Sequence, residues 1–237
     1  EARVNGRGPY RLLVDTGANV TLLQGRVARE LRLPVLRPGE KSQLVAVDRL
    51  EIGPAIFGGL VAGARDWRED IDGVLGFNLF SDCLLTFDYP ARTLVLERGA
   101  LSSANGGDRI PFEIGEGRHP FIVLDVGGSR MSFLLDTGAA QWLTIPSATA
   151  KGLRFDGPPV PGRTLTWNDR TYSVEVARLA GDVKLGAYVL RRPEVLLTPD
   201  EFPLIGSGFL KEFRLTIDQA SKIIRLTRDS TEPIRGP

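Results

Sequence analysis

Short apolar runs alternate with turn-forming residues along most of the chain. Glycine, proline and asparagine separate these runs, as at residues 4–6, 52–54 and 125–128. Such spacing is typical of short strands joined by tight turns. A helical pattern is found at residues 25–32 and 147–153. The chain is therefore predicted to be all-β, mainly strands with one short helix in each half.

Two sequence signatures occur twice, in the same order. The first is an apolar run that ends in Asp-Thr-Gly-Ala, at residues 10–18 and again at residues 131–139. The second opens with two apolar residues and a glycine, and it recurs without a gap at an offset of 130 positions, at residues 74–96 and 204–226. Within each copy of the second, an aspartate followed by turn-prone residues predicts a hairpin. We interpret the chain as an internal duplication with two homologous lobes.

The duplication sets the predicted domain boundaries. We assign residues 1–98 to an N-terminal lobe, 99–109 to a flexible linker, 110–230 to a C-terminal lobe and 231–237 to a tail. The linker is rich in glycine and serine, a composition that favours flexibility. The second lobe also has a predicted strand at residues 111–126 without a counterpart in the first lobe. By symmetry we expect about one strand of the first lobe to lie upstream of Glu1.

Composition and charge exclude several classes of function. The 237 residues carry a net charge of +1, so the sequence does not indicate binding to nucleic acid or to an anionic membrane. A single cysteine, Cys83, provides no disulfide framework and no thiolate metal site. The single histidine, His119, cannot form a histidine-based metal site. No apolar run is long enough to span a membrane. We expect neither a metal nor a cofactor.

The aspartates of the repeated motif, Asp15 and Asp136, are the candidate catalytic residues. Two carboxylates held close together share one proton, because ionising both is costly. The ionised member can take a proton from a water molecule, which then attacks a carbonyl carbon. The protonated member can donate to the oxygen that becomes negative. This chemistry needs neither a metal nor a covalent intermediate.

Both motif pairs resemble those of retropepsin-like aspartic proteases. Residues 15–18 with 74–76, and residues 136–139 with 204–206, each resemble one retropepsin protomer. Two such units in one chain resemble the two-lobed pepsin-like enzymes, and alanine after the glycine is closer to the bacterial retropepsin-like proteins. The resemblance implies the acid protease fold, with two pseudo-two-fold-related lobes and a cleft between them. It also implies an aspartic endopeptidase that acts on polypeptides as a monomer with an internal pseudo-dimer.

In the resembled family, the residues that follow each aspartate support the catalytic pair: Thr16, Gly17, Ala18, Thr137, Gly138 and Ala139. The threonines donate across to the backbone of the opposite lobe. The glycines lack Cβ, so their backbone can approach the carboxylates closely. The alanines lack a hydroxyl that pepsin-like enzymes often have at this position, so we expect a less strongly acidic pH optimum.

The lobes differ in one segment. The two signature glycines are 59 positions apart in the first lobe and 68 in the second. The surplus lies between Phe155 and Tyr172, and residues 164–172 within it alternate about an Asn-Asp turn, which predicts a hairpin. In the resembled family a hairpin here covers the substrate as a flap, whereas the first lobe has only residues 38–43 at this place. We predict one flap, with Trp167 or Tyr172 near substrate; an ordinary surface hairpin is the alternative. Trp142 is a candidate core residue or pocket wall.

Two other interpretations remain open. A non-catalytic module with the same fold could capture extended peptides by strand pairing, although it would not need paired aspartates. Alternatively, the site could form between lobes of different chains. The resemblance favours an extracytoplasmic location, periplasmic or secreted, with an upstream signal or anchor removed.

Overall fold

A computed structural model describes residues 1–67, 70–101, 108–167, 170–199, 202–230 and 234. The chain divides into two compact units, Glu1–Leu79 (unit 1) and Phe80–Pro237 (unit 2). Of the residues that the structure describes, 55% lie in strands and 9% are helical, which confirms the mainly β prediction. The lobe and linker boundaries predicted from the duplication stay a prediction. Among the described residues, no helix is both long and apolar enough to cross a membrane.

Unit 1 is one twisted sheet with a short helix. Its elements are β1 (Ala2–Val4), β2 (Arg7–Tyr10), β3 (Leu12–Asp15), β4 (Leu22–Gln24), α1 (Gly25–Glu30), β5 (Val35–Arg37), β6 (Gln43–Ile52), β7 (Ala55–Arg65) and β8 (Gly73–Gly76). The strand order is β2-β1-β6-β7-β4-β8-β3, and β5 pairs with β6. Helix α1 occupies most of the predicted helical segment and buries Val27 and Ala28.

Unit 2 contains the remaining elements. They are β9 (Leu84–Asp88), β10 (Thr93–Glu97), β11 (Arg109–Ile114), β12 (Pro120–Val126), β13 (Ser129–Asp136), β14 (Leu143–Pro146), α2 (Ser147–Ala150), β15 (Val160–Trp167), β16 (Arg170–Arg178), β17 (Val183–Leu185), β18 (Tyr188–Leu190), β19 (Glu194–Thr198), β20 (Leu204–Gly206), α3 (Ser207–Leu210), β21 (Arg214–Asp218) and β22 (Ile223–Thr227). The order is β10-β9-β21-β22-β11-β12-β13-β20-β14-β19-β16-β15, with β17 on β12 and β18 on β17.

Two elements of unit 2 differ from the sequence prediction. The single strand expected at residues 111–126 is two strands, β11 and β12, interrupted by a 3-10 turn at Glu116–Arg118. The short helix α3 was not predicted, and the helix predicted at residues 147–153 covers only the four residues of α2.

Strand pairing repeats between the units. In unit 1, β3 pairs in parallel with β8, and β4 pairs antiparallel with β8 and in parallel with β7. In unit 2, β13 and β20 take the places of β3 and β8, while β14 and β19 take those of β4 and β7. The pairing of β1 with β6 likewise recurs as that of β12 with β17. The duplication seen in the sequence is therefore present in the topology.

The two predicted hairpins, β9–β10 and β21–β22, are confirmed, and both lie in unit 2. Asp88 accepts the Ala91 N–H at 3.1 Å, and at the equivalent turn Asp218 accepts the Ser221 N–H at 3.0 Å. Such side-chain-to-backbone bonds explain why aspartate opens both turns. Strands β9 and β21 pair antiparallel, and Thr86 lies opposite Thr216, its own repeat equivalent, with their hydroxyl oxygens 2.9 Å apart.

Strand alternation builds the core of unit 2. In β12, Ile122, Leu124 and Val126 are buried, while the residues between them are more exposed. The apolar residues of α3 and the chain after it continue this core, where the Phe209 and Phe213 rings lie 5.1 Å apart. The motif strand β13 lies next to β12 and is thereby held in a packed sheet.

Candidate active site

The first motif aspartate lies at the end of a parallel strand pair. Strand β3 ends at Asp15, which is paired with Gly76 of the parallel strand β8. The chain then turns, and the Gly17 N–H donates to Asp15 Oδ1 at 2.7 Å. The Ala18 N–H donates to the Asp15 carbonyl oxygen at 3.3 Å. Thr16 is fully buried, whereas Asp15 is half-buried.

The second motif aspartate has the same placement in unit 2. Strand β13 ends at Asp136, which is paired with Gly206 of β20. Two backbone donors reach Asp136 Oδ1, the Gly138 N–H at 2.9 Å and the Ala139 N–H at 3.0 Å. Thr137 is buried, with 6% of its surface exposed. The two copies of the motif therefore form similar turns that hold one carboxylate oxygen with backbone N–H groups.

The glycines of the second signature are required by close backbone contacts. A Cβ added to Gly76 would lie 2.4 Å from the Val20 carbonyl carbon. A Cβ added to Gly206 would lie 2.4 Å from the Gln141 carbonyl oxygen. Because both neighbours are backbone atoms of the motif loop, neither can give way without moving that loop. The glycines thus let the loop rest directly on the adjacent strand.

The residue after each of these glycines holds the motif alanine. The Phe77 N–H donates to the Ala18 carbonyl oxygen at 2.7 Å. In unit 2 the Ser207 N–H donates to the Ala139 carbonyl oxygen at 2.7 Å, and the Ser207 hydroxyl donates to the same oxygen at 2.7 Å. Neither Phe77 nor Ser207 was predicted to be part of the site. Each follows the glycine of the second signature, and this position is the sequence feature that could have identified it.

A carboxylate clamp fixes the loop before β8 in unit 1. The Asp72 carboxylate accepts the Arg11 N–H at 2.6 Å and pairs with the Arg26 guanidinium. Its backbone N–H donates to the Arg11 carbonyl oxygen at 2.8 Å, and its carbonyl oxygen accepts the Gln24 N–H at 2.9 Å. Asp72 therefore connects Arg11, which precedes β3, with Arg26 of α1 and with Gln24, the last residue of β4.

A protein-family model covers both of these motifs. A family model described as aspartyl protease matches residues 1–79 and 122–209, which include both Asp-Thr-Gly-Ala copies and more than two thirds of the chain. The chain belongs to the aspartyl protease family. The family suggested by the motifs is thereby confirmed. No curated protein matches the chain.

Solved structures of aspartic proteases are also similar to the chain. A retropepsin-like aspartic protease from Rickettsia conorii is 17% identical, with a TM-score of 0.37, and the match covers 49% of this chain and 96% of that one. The EIAV protease, solved in complex with the inhibitor HBY-793, is 16% identical, with a TM-score of 0.35. That match covers 39% of this chain and 85% of the EIAV chain.

In this aspartyl protease, the hairpin predicted near residues 164–172 is confirmed as the pair β15 and β16. Their pairing reaches Trp167 opposite Arg170, and Leu165 lies opposite Tyr172. Strand β16 pairs with β19 only over Glu175–Arg178, so the outer part of the hairpin is a two-stranded ribbon beyond the sheet. Asn168 and Asp169, the predicted turn, lie outside the described residues. In unit 1 the corresponding strand, β5, has three residues.

Trp142 lies in the core of unit 2. It is 8% exposed and packs edge-on against Phe209, with the ring centroids 5.2 Å apart. Its side chain therefore supports the loop that follows Asp136. A role of Trp142 toward substrate stays a prediction, as does the role of the β15–β16 hairpin as a flap.

Proposed function

We propose that this aspartyl protease is an endopeptidase in which Asp15 and Asp136 jointly activate a water molecule to hydrolyse peptide bonds. The observation that carries the proposal is the equivalence of the two motif turns. Each aspartate ends a strand opposite a glycine, and each Oδ1 accepts a backbone N–H. Two similar turns in one chain supply the two carboxylates that the chemistry requires.

Hydrogen bonds to Oδ1 define how each carboxylate can act. Backbone N–H donors favour the ionised form of a carboxyl group. These donors engage Oδ1 of both aspartates, and we assign the shared proton and the water to the two carboxylates jointly. The ionised aspartate takes a proton from the water as its oxygen attacks the peptide carbonyl carbon. The other aspartate donates its proton to the carbonyl oxygen, and a proton then passes to the leaving amine.

We further propose that two lobes related by a pseudo-two-fold axis bring the aspartates together across a cleft. The self-pairing of Thr86 with Thr216 supports this, because two copies related by a local two-fold axis pair in this way. Thr16 and Thr137 are both buried, and buried hydroxyls are almost always hydrogen-bonded. We assign them the cross-lobe bonds that lock the pair. We propose for the lobes the boundaries predicted from the duplication, residues 1–98 and residues 110–230. Residues 99–109 would join them, and residues 231–237 would form a tail.

The substrate is then an extended polypeptide, which the β15–β16 ribbon covers with Trp167 or Tyr172. We propose a monomer and, from the family resemblance, an extracytoplasmic location, periplasmic or secreted. A binding module without activity is not favoured, because both motifs keep a complete Asp-Thr-Gly-Ala turn.

A peptide-library digest tests the function. The wild-type chain should cleave internal peptide bonds, whereas Asp15→Asn and Asp136→Asn should each lower kcat/KM by at least about 10³-fold. Asp48→Asn is the matched control, because Asp48 is an exposed aspartate on β6 away from the motif. Cleavage that survives either motif substitution would overturn the assignment. A pH–rate profile that peaks near pH 2 would contradict the role given to Ala18 and Ala139.

A further inference from the structure

Thr21 lies in the loop that follows the first motif, directly before β4. It is buried, with 7% of its surface exposed. The Thr21 hydroxyl oxygen accepts the Gly76 N–H at 3.3 Å, in a buried hydrogen bond. Gly76 is the residue of β8 that pairs with Asp15. One glycine therefore connects the Thr21 side chain to the end of the strand that carries the motif carboxylate.

In unit 2 a backbone group is the acceptor at the equivalent glycine. The Gly206 N–H donates to the Trp142 carbonyl oxygen at 3.2 Å. The motif loop of each unit thus supplies an acceptor for the glycine N–H, and in unit 1 this acceptor belongs to a side chain. A buried N–H without an acceptor destabilises a fold, so each loop has a physical reason to supply one.

The length of the loop differs between the units. Leu22 of β4 pairs with Val74 and lies seven positions after the motif aspartate of unit 1. Thr144 of β14 pairs with Leu204, the equivalent of Val74, and lies eight positions after the motif aspartate of unit 2. The loop of unit 2 is therefore one residue longer. In the shorter loop of unit 1, a threonine hydroxyl takes the role that a backbone carbonyl has in unit 2.

Two further contacts place Gly76 at the centre of the first motif loop. A Cβ added to Gly76 would lie 2.4 Å from the Val20 carbonyl carbon, so the loop rests directly on this glycine. The N–H of the next residue, Phe77, donates to the Ala18 carbonyl oxygen at 2.7 Å. In such close packing, a shift of Gly76 would move both the loop and the strand position beside Asp15.

We propose that Thr21 is a positioning residue for Asp15. Its hydroxyl holds Gly76 in place and thereby keeps the motif loop, with the Gly17 N–H that binds Asp15 Oδ1, in one geometry. This inference rests on the proposed function, in which Asp15 is one of the two catalytic aspartates. Displacing a reacting group by about 1 Å can lower a rate about 10²-fold, so a bond that fixes this loop affects kcat.

Thr21→Val tests the inference because valine keeps the shape of threonine and removes the acceptor. We expect kcat to fall about 10- to 100-fold, with KM within about twofold of wild type. Thr21→Ser retains the hydroxyl and should keep kcat within about threefold of wild type. Thr144→Val is the matched control. Thr144 is 1% exposed, its hydroxyl has no hydrogen-bond partner among the residues that the structure describes, and its replacement should leave kcat unchanged.

A second pair of variants covers the case in which Thr21→Val does not fold. Thr21→Ala and Thr21→Ser differ by the hydroxyl alone, so their comparison isolates the same hydrogen bond. The alanine variant should have the lower kcat and a similar KM. Equal kcat values for these two variants would show that the hydroxyl does not position Asp15.

Two readouts do not depend on activity. In the chain labelled with ¹³C at aspartate carboxyl carbons, the Asp15 resonance, assigned with Asp15→Asn, should shift in Thr21→Val and stay in place in Thr144→Val. Exchange of the Gly76 amide with D2O should accelerate about tenfold in Thr21→Val, with the Gly206 amide as internal reference. If the wild type cleaves no peptide, the proposed function fails and these measurements still decide the role of Thr21. An unmoved Asp15 resonance in Thr21→Val overturns the inference, whatever the activity.

Discussion

The two motif turns have the same four residues and the same strand pairing, yet their hydrogen bonds differ. Asp15 Oδ1 accepts one backbone N–H, from Gly17, whereas Asp136 Oδ1 accepts two. In unit 1 the Ala18 N–H donates instead to the Asp15 carbonyl oxygen. Identical motif residues therefore do not give the two carboxylates the same hydrogen bonds, because the N–H of the motif alanine reaches a different acceptor in each turn.

The segments before the second-signature glycines differ more. In unit 1 Asp72 connects Arg11, Gln24 and Arg26 through its carboxylate and backbone. The equivalent position in unit 2 is Phe202, whose ring packs edge-on against the Phe121 ring, with the ring centroids 5.5 Å apart. One copy thus uses charged hydrogen bonds where the other uses apolar contact. The same strand arrangement tolerates both, because its closest contacts are made by backbone atoms around the glycines.

The largest expected effect concerns the close backbone contacts of Gly76 and Gly206, which both copies share. Gly206→Ala and Gly76→Ala should each lower the free energy of unfolding by at least about 2 kcal/mol, because the new Cβ meets backbone atoms at 2.4 Å. Thermal unfolding measures this. Gly152→Ala is the control, since its added Cβ meets nothing closer than 3.9 Å. A Gly206→Ala chain as stable as wild type would show that the motif loop does not need the close approach.

The next effect compares the two hairpin turns. Asp218 is 2% exposed and accepts N–H groups from Ser221 and from Leu101. Burial opposes its charge, but these donors outweigh burial and hold the pKa of Asp218 below its ordinary value. Asp218→Ala should therefore lower the free energy of unfolding by about 1–3 kcal/mol at pH 7, measured in urea. Asp88→Ala should lower the free energy of unfolding by a smaller amount, because Asp88 is more exposed than Asp218.

The pH dependence of Asp218 follows from the direction of this shift. A carboxyl group with a lowered folded-state pKa stabilises the fold above its unfolded pKa, and this contribution is lost as the pH falls through the folded value. The stability gap between wild type and Asp218→Ala should thus narrow below about pH 4. A gap that widens on acidification would contradict the assigned hydrogen bonds.

The smallest effect concerns the hairpin that distinguishes the two halves. Replacing both Trp167 and Tyr172 by alanine should raise KM about tenfold, equivalent to about 1.4 kcal/mol of binding, with little change in Tm. We expect little loss of stability because, within the part of the chain that the structure describes, the outer ribbon pairs only with itself. The control replaces Val35 and Leu36 of β5, which are 50% and 56% exposed, and should leave KM unchanged. Equal KM values for the two double variants would contradict the proposal that only the β15–β16 hairpin acts as a flap.

The sequence predicted the features that depend on local pattern. The hairpin turns at Asp88 and Asp218 and the β15–β16 pair were predicted because turn residues and alternation are local signals. Helix α3 and the break between β11 and β12 were missed because they are short and depend on tertiary packing.

The central claim is that one polypeptide supplies both catalytic aspartates, and mixing two inactive variants tests it most directly. Asp15→Asn and Asp136→Asn chains are combined in equal amounts under conditions that allow subunit exchange, and peptide cleavage is measured. If each chain forms its own site, the mixture stays as inactive as either variant alone. If sites form between chains, mixed dimers regain one intact pair and the mixture recovers about a quarter of wild-type activity. Recovery of that size would contradict the account.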